Sequence, residues 1–368
     1  MHLYLHIPFC TAKCPYCDFN SVAGREAEYA PYVDALLSET RRLPRGPYAT
    51  VFIGGGTPSI LPPLLLERLL VGLRDHLLLT PGYEWTCEAN PGSADAEKFR
   101  ILATHGVNRL SLGVQSTHAK HLHFLGRVHD AQQADAALAA ARAAVPRVSA
   151  DLIMGLPDQT LGDLRDDLAL YRRHDLAHAS VYHLAYEPGT EFHARLGRGE
   201  LAEISAEASH AYFNALWEGL DALGLELYET SNFAKAGHAS RHNLAYWQQR
   251  DYHAAGAGAV STIGHVRTTR EKHSGRYIDA ITAGGDAIWK SEVLSPADQL
   301  AETWMLGLRL ASGVALSDVA LRGDHEVRWR PIADSLIGIG LLDEHDGHLR
   351  LTRRGRPVQD EVTIKLLP

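Results

Sequence analysis

Six short β-rich segments alternate with longer amphipathic segments through the first half of the chain, and this alternation limits the possible folds. The segments between the strands carry apolar residues at helical spacing, at 27–43, 62–77, 93–106, 130–144 and 160–174. The β-rich segments are HLYLHI (2–7), ATVFIGG (49–55), YEWTCEA (83–89), NRLSLGV (108–114), RVSADLIMG (147–155) and HASVYHL (178–184). Strands joined by helices run parallel with right-handed crossovers, so the sequence predicts an α/β protein.

An open doubly wound sheet and a barrel both fit this alternation. Polar and glycine-rich residues follow nearly every predicted strand, and a functional rim built from successive βα loops is typical of barrels. We therefore predict a partial (β/α)6 TIM-like barrel with extra strands, over residues 1–290. Helical segments from about Ser295 and short strands around DGHLRLTRRG predict a small α-rich C-terminal domain with a wing-like turn, over residues 291–368.

Composition excludes several classes of protein. The net charge is -8, from 36 Lys+Arg against 44 Asp+Glu, which provides no basic field for nucleic acid. The sequence contains no run of about 18 apolar residues, so it predicts no membrane span. The first residues do not resemble a secretory signal. The few, clustered cysteines do not indicate a disulfide framework, so we expect a cytoplasmic protein.

Three of the four cysteines lie within eight residues, as Cys10, Cys14 and Cys17. A C-x3-C-x2-C loop can bind three irons of a cubane [4Fe–4S] cluster and leave the fourth open for a small molecule. Structural zinc with His6 or another His as the fourth ligand is the alternative, but no second C-x2-C pair follows. The spacing favours the cluster. Cys87, on a predicted strand, is expected to be an ordinary buried thiol.

Further polar and glycine-rich positions lie at the ends of the predicted strands. GGGTPS (54–59) follows the second strand, and its glycines let the backbone approach a ligand closely. Glu88, Gln115, Arg127 and Asp151 stand at or just past other strand ends. Each alone suits a cap or a surface position, but together they predict one ligand-binding rim beside the cysteines.

Six segments carry a resemblance to a known family: YLHIPFCTAKCPYCDF, GGGTPS, CEANP, GVQS, GLPDQT and HNLAYW. Together they resemble the radical S-adenosylmethionine proteins of the HemN/HemW group, which includes coproporphyrinogen III dehydrogenases and haem chaperones. The resemblance implies a [4Fe–4S] cluster on the three clustered cysteines, with S-adenosylmethionine on the open iron. It implies that S-adenosylmethionine is bound by Tyr4, Gly55, Gly56, Thr57, Glu88, Gln115, Arg127, Asp151 and Ala185.

Two departures from the dehydrogenases indicate the chaperone branch. The dehydrogenases carry a further cysteine two places after the third cluster cysteine, where this chain has Phe19. They also have a long segment before the cluster motif, whereas the first cysteine here is Cys10. We expect a haem chaperone. The alternative is a dehydrogenase that decarboxylates coproporphyrinogen III by radical chemistry, and S-adenosylmethionine cleavage can serve either catalysis or gated haem release.

The segment SRHNLAYW (240–247) is a candidate haem site. His242 beside aromatic residues could give haem iron an axial imidazole, or it could be a satisfied packing residue; the resemblance favours haem. The resemblance further implies haem as cargo, acceptor haemoproteins that include membrane-bound respiratory enzymes, and an electron donor such as flavodoxin or ferredoxin. No nucleic-acid partner is expected.

Overall fold

The computed structural model describes all 368 residues and contains every predicted βα unit. In chain order the elements of the larger part are β1 (His2–Ile7), β2 (Phe9–Cys10), β3 (Val22–Ala23), α1 (Tyr29–Thr40), β4 (Tyr48–Gly55), α2 (Pro63–His76), β5 (Leu79–Ala89), α3 (Ala96–Thr104), β6 (Arg109–Gln115), α4 (Ala119–Phe124), α5 (Ala131–Ala144), β7 (Arg147–Met154), α6 (Leu161–Arg173), β8 (His178–His183), α7 (Glu191–Gly197), α8 (Ala206–Asp221), β9 (Glu226–Glu229), β10 (Asn232–Ala234), α9 (Arg241–Trp247), β11 (Tyr252–Ala255), β12 (Val260–Ile263), β13 (Val266–Arg270), α10 (Ser274–Thr282) and β14 (Ile288–Val293). The remaining elements are α11 (Pro296–Gly307), β15 (Val314–Ala315), α12 (Leu316–Leu321), α13 (Glu326–Gly338), β16 (Leu342–His345), β17 (His348–Leu351) and α14 (Gln359–Leu366).

Seven parallel strands form the centre of a twelve-stranded sheet, in the order β11, β1, β4, β5, β6, β7, β8. Antiparallel strands extend it at both ends, with β12 to β14 beyond β11 and with β10 and β9 beyond β8. The end strands β14 and β9 do not pair with each other, so the barrel is open. The predicted fold class, a partial barrel with extra strands, is confirmed.

Alternation along the parallel strands gives the sheet one apolar and one polar face. On β1, Leu3, Leu5 and Ile7 are fully buried in the main hydrophobic core, which the helices cover. The intervening His2 and Tyr4 point to the opposite face, because successive side chains of a strand alternate. The interior of the barrel is therefore lined by polar side chains, and these are available to bind ligands.

The C-terminal elements have a hydrophobic core of their own. It contains 13 buried residues, and Trp304 and Trp329 are its largest side chains. Trp304 Nε1 donates a hydrogen bond to Asp324 at 3.1 Å. The β16–β17 hairpin forms the predicted wing, and the α-rich character is confirmed. The expected division at residue 290 falls inside β14.

No helix of the chain combines the length and the apolar composition that crossing a bilayer requires.

A buried ion pair joins α1 to the strands that follow β11. Arg270 Nε donates to one oxygen of Glu39 at 2.6 Å. The other oxygen accepts from the Tyr277 hydroxyl at 2.6 Å and from the Gly256 N–H at 2.9 Å. Glu39 is 5% exposed and Arg270 is 9% exposed. This carboxylate therefore ties the first helix to the strand pair on the other side of β1.

Replacing Glu39 by Ala should lower the free energy of unfolding by about 3–5 kcal/mol, because the Arg270 charge would remain buried without its partner. Urea unfolding measures the change. Arg68→Ala is the matched control, since Arg68 pairs with Asp34 on the surface, where both side chains are about half exposed; its effect should stay below about 1 kcal/mol. Equal losses in the two variants would contradict the structural role of Glu39.

Candidate functional site

A cavity of about 330 Å³ opens at the carboxyl ends of the parallel strands. It brings together the three clustered cysteines and eight of the nine positions expected to bind S-adenosylmethionine. These lining residues are Cys10, Cys14, Cys17, Gly55, Gly56, Thr57, Glu88, Gln115, Arg127, Asp151 and Ala185. The rim inferred from the sequence is thus a single concave surface.

The loop that carries the cysteines is anchored at both ends. Its first strand pairs in parallel with β3, through Phe9 and Cys10 opposite Val22 and Ala23. All four cysteines are free thiols, and the three of the loop are partly exposed. Burial raises the pKa of the Cys10 and Cys17 thiols above the ordinary value. A bound metal would be needed to hold these thiols as thiolates at neutral pH.

The geometry of the loop does not suit a single zinc ion. No three His, Cys, Asp or Glu side chains converge closely enough to coordinate one ion. His6, the candidate fourth ligand, has its Nδ1 3.0 Å from the Tyr4 hydroxyl and its Nε2 2.8 Å from the Asn20 carbonyl oxygen. Thiolates around a cubane cluster each bind a different iron and can stand farther apart. His6 is therefore engaged within the protein, and the cluster assignment rests on the C-x3-C-x2-C spacing.

The glycine loop packs directly against the cysteine loop. Gly55 has a φ of 112°, and a Cβ there would lie 2.4 Å from the His6 ring. A Cβ on Gly56 would lie 2.6 Å from the Phe9 carbonyl oxygen. Only glycine permits both the backbone conformation and this approach. The packing brings the hydroxyl of Thr57 to 3.5 Å from the Cys10 sulfur.

Two carboxylates stand on the cavity wall. Glu88 accepts a hydrogen bond from the Gly55 N–H at 3.0 Å, and Asp151 accepts one from the Ser111 hydroxyl at 3.0 Å. Burial, with a further contribution from the negative charge of Asp151, raises the pKa of Glu88 to about 8. Burial also raises the pKa of Asp151 to about 6. A cationic ligand would favour the ionised forms and so lower the pKa of both carboxyl groups.

Arg127 supplies a positive charge to the same cavity. Its Nη2 donates to the Gly113 carbonyl oxygen at 2.8 Å, and its Nη1 lies 3.5 Å from the Cys14 sulfur. The buried Nε has no hydrogen-bond partner within the protein. Gln115 nearby holds a φ of 69°, which a residue with a side chain rarely adopts. Such strain clusters at binding sites.

This donor set fits the two groups that the sequence implies. S-adenosylmethionine carries positive sulfonium and ammonium groups, which the carboxylates of Glu88 and Asp151 would favour, and one carboxylate, which Arg127 would favour. Cys10, Cys14 and Cys17 would hold the [4Fe–4S] cluster at the mouth of the same cavity. The chain thus offers a complementary charge for each charged group of the ligand.

Tyr4 lies beneath the cavity and does not line it. Its hydroxyl is 3.0 Å from His6 Nδ1, and its ring stacks on Phe52 with the ring centres 6.1 Å apart. Tyr4 therefore supports the cavity floor through His6, which in turn packs against Gly55.

His242 lies toward the amino end of β4, against Thr50, and does not line the cavity. It is fully buried, with Nδ1 2.7 Å from the Thr50 hydroxyl and Nε2 3.0 Å from the Tyr246 hydroxyl. Burial lowers its pKa to about 3. Because both ring nitrogens are engaged, His242 offers no ligand to haem iron in this structure. The arrangement matches the alternative that the sequence left open, a satisfied packing histidine.

Sequence reasoning missed further residues of the cavity wall, among them Tyr16, Tyr182 and His183. Tyr16 lies between two cysteines in CPYC, and that position could have indicated it. Tyr182 and His183 end the predicted strand HASVYHL, directly before Leu184 and Ala185. Aromatic residues at strand ends usually pack in a core, so the sequence alone gave no reason to select them.

Comparisons with known proteins agree along the whole chain. A sequence model described as the radical SAM superfamily matches residues 4–171, and one described as the HemN C-terminal domain matches residues 294–358. The chain is 34% identical to the heme chaperone HemW of Bacillus subtilis, over 98% of this chain and 97% of the relative. It is 36% identical to the heme chaperone HemW of Escherichia coli, over 97% of this chain and 95% of the relative.

A solved structure shares the fold. The coproporphyrinogen III oxidase (HemN) from Escherichia coli, described as a radical SAM enzyme, superposes with a TM-score of 0.84 at 22% identity. The superposition covers 99% of this chain and 89% of that chain. At this identity, the likeness establishes the fold alone.

Replacing Cys10, Cys14 and Cys17 together by Ala should abolish cluster assembly, because thiolates are the ligands that cluster iron prefers. Cluster content is measured after anaerobic reconstitution, by iron analysis and by electron paramagnetic resonance of the reduced protein. Cys87→Ala is the control, since Cys87 is fully buried in the hydrophobic core, and should keep the signal. A cluster retained in the triple variant would refute the assignment.

The raised pKa of Glu88 should make the stability of the cluster-free protein fall between pH 5 and pH 8. The folded chain holds this proton until about pH 8, while the unfolded chain releases it near 4.5, so stability is lost as pH rises through that window. Glu88→Gln keeps an acceptor for the Gly55 N–H but has no proton to titrate. The decrease in the free energy of unfolding between pH 5 and pH 8, measured by urea unfolding at each pH, should therefore be smaller by about 2–4 kcal/mol in this variant. Identical pH profiles for the two proteins would contradict the assignment.

Proposed function

Because the chain belongs to the radical S-adenosylmethionine proteins of the HemN/HemW group, we propose that it is a haem chaperone, which binds haem and delivers it to acceptor haemoproteins. The observation that carries the proposal is the similarity to proteins named heme chaperone HemW, at 34% and 36% identity over nearly the whole chain. Phe19 supports it, since this residue replaces the further cysteine that the resemblance assigns to the dehydrogenases.

The cysteine cavity would hold the resident cofactors of the chaperone. Cys10, Cys14 and Cys17 would bind the cluster, and the glycine loop with Glu88, Asp151 and Arg127 would orient S-adenosylmethionine. When bound, the cluster supplies one-electron chemistry on S-adenosylmethionine. The barrel wall shields the site from water, and the two carboxylates with the guanidinium fix the orientation of a ligand that carries both signs of charge.

Phe19 marks the difference from a decarboxylating enzyme. Its side chain lines the cavity and is 61% exposed, so the cavity presents an apolar ring to solvent at this position. A phenyl ring cannot bind iron or carry a proton. We therefore do not favour radical decarboxylation of coproporphyrinogen III as the activity.

The partners follow from the proposal. The chain would act in the cytoplasm, receive electrons from a flavodoxin or ferredoxin, and pass haem to haemoproteins that include respiratory enzymes of the membrane. The electron donor would approach the mouth of the cysteine cavity, because the cluster would lie there.

The test is a paired assay on anaerobically reconstituted protein with S-adenosylmethionine and reductant. Haem-loaded protein should raise the holo fraction of an apo b-type respiratory haemoprotein above that given by free haem, read from its absorbance spectrum. Coproporphyrinogen III in the parallel assay should remain unchanged. Conversion of coproporphyrinogen III, or no haem binding at all, would overturn the proposed function.

A further inference from the structure

The twelve-stranded sheet has one covered edge and one open edge. At the covered edge, Glu229 of β9 forms a β-bridge with Leu310 of the C-terminal part of the chain. The adjacent Tyr228 carbonyl oxygen accepts a hydrogen bond from the Ala311 N–H at 3.0 Å. At the open edge, β14 pairs with β13 on one side only. A strand with one unpaired side can pair with a further strand.

The backbone of β14 presents hydrogen-bonding groups on its unpaired side. The Leu294 N–H donates to the His265 carbonyl oxygen at 2.8 Å, so the Leu294 backbone faces β13. Because this direction alternates along an antiparallel strand, the N–H and C=O groups of Ser291 and Val293 point away from β13. They have no partner in the sheet and can bond to another strand.

Exposed apolar side chains accompany these backbone groups. Val293 is 75% exposed and Trp289 is 59% exposed. Both lie on the same face of the strand as Ser291, because side chains alternate. Val293 also ends an aliphatic row across three strands, with Val266 opposite it on β13 and Ile263 opposite Val266 on β12. The open edge therefore has an apolar face that a second strand could extend.

The sequence of β14 is complementary to itself about Ser291. In the segment WKSEV, Lys290 and Glu292 flank this serine, and Trp289 and Val293 stand one position farther out. If two copies paired antiparallel with Ser291 opposite Ser291, each Lys290 would face Glu292 of the other copy. Each Trp289 would face Val293 of the other copy. Opposite charges and aromatic–β-branched pairs stabilise antiparallel strands when they stand directly across from each other.

We propose that β14 is a homodimer interface, in which two copies of the chain pair their β14 strands antiparallel about a two-fold axis at Ser291. The charge pattern favours a second copy as the occupant, because the same two side chains supply both halves of each ion pair. Lys290 and Glu292 already form a salt bridge within the strand, so the edge carries no net charge that would repel a second copy. This inference is independent of the proposed function.

Two features of β14 favour one register and a closed pair. The register with β13 shifts between Thr269 and Arg270, which leaves Trp289 as an extra residue on β14 and confines regular pairing to the residues around Ser291. Pro296 begins α11 shortly after the strand ends. A two-fold pair uses the open edge of both copies, so association stops at the dimer.

The first test measures mass against concentration by sedimentation equilibrium, and we expect a monomer–dimer equilibrium for the parent chain. Ser291→Pro removes the outward N–H and should raise the dissociation constant about tenfold or more, because the central hydrogen bonds of the pair are lost. The ladder to β13 does not use this N–H, so urea unfolding should show a folded chain. Ser291→Ala keeps the N–H and should dimerise like the parent.

The second arm reverses charges. Lys290→Glu alone and Glu292→Lys alone should each weaken dimerisation by about tenfold, because like charges would then face each other across the pair. An equimolar mixture of these two variants should form a heterodimer with the affinity of the parent, since every facing pair again combines opposite charges. This arm decides the question even if Ser291→Pro fails to fold.

A parent chain that remains a monomer at every concentration would overturn the proposal and leave the open edge available to a different protein. A dimer that Ser291→Pro and both charge variants leave unchanged would also overturn it, because the contact would then lie elsewhere on the chain. Neither result would affect the proposed function, which the haem assays test separately.

Discussion

The parallel pairing of seven strands is the interaction on which the rest of the structure depends. It places all carboxyl ends of these strands at one rim of the barrel and all amino ends at the other. Because side chains alternate along each strand, one face of the sheet enters the hydrophobic core and the other lines the barrel with polar groups. One topology thus gathers the cysteines and the polar strand ends into a single cavity at the carboxyl rim.

The charges of the cysteine cavity fit its proposed ligand. Glu88 and Asp151 suit the cationic groups of S-adenosylmethionine, and Arg127 suits its carboxylate. Because burial raises the pKa of Glu88 to about 8 and that of Asp151 to about 6, a cationic ligand would favour the ionised form of both groups.

The barrel could be predicted from the sequence because its strands are regular and local. Leu3, Leu5 and Ile7 alternate with polar residues, and the predicted bounds of β1 are those of the structure. The strand β11 was not predicted, since its four residues, YHAA, give no strong pattern and pair with β1 from far along the chain. The cysteine cavity was predictable because its polar residues follow strands directly. The role of His242 was not, because its burial depends on the distant Thr50 and Tyr246.

The central claim is that Cys10, Cys14 and Cys17 hold a [4Fe–4S] cluster beside the cavity that binds S-adenosylmethionine. The most direct measurement is electron paramagnetic resonance of the reduced, reconstituted protein with and without saturating S-adenosylmethionine. The account predicts that S-adenosylmethionine shifts the g-values of the cluster, because the ligand binds the iron that no cysteine holds. A spectrum that S-adenosylmethionine leaves unchanged would contradict it.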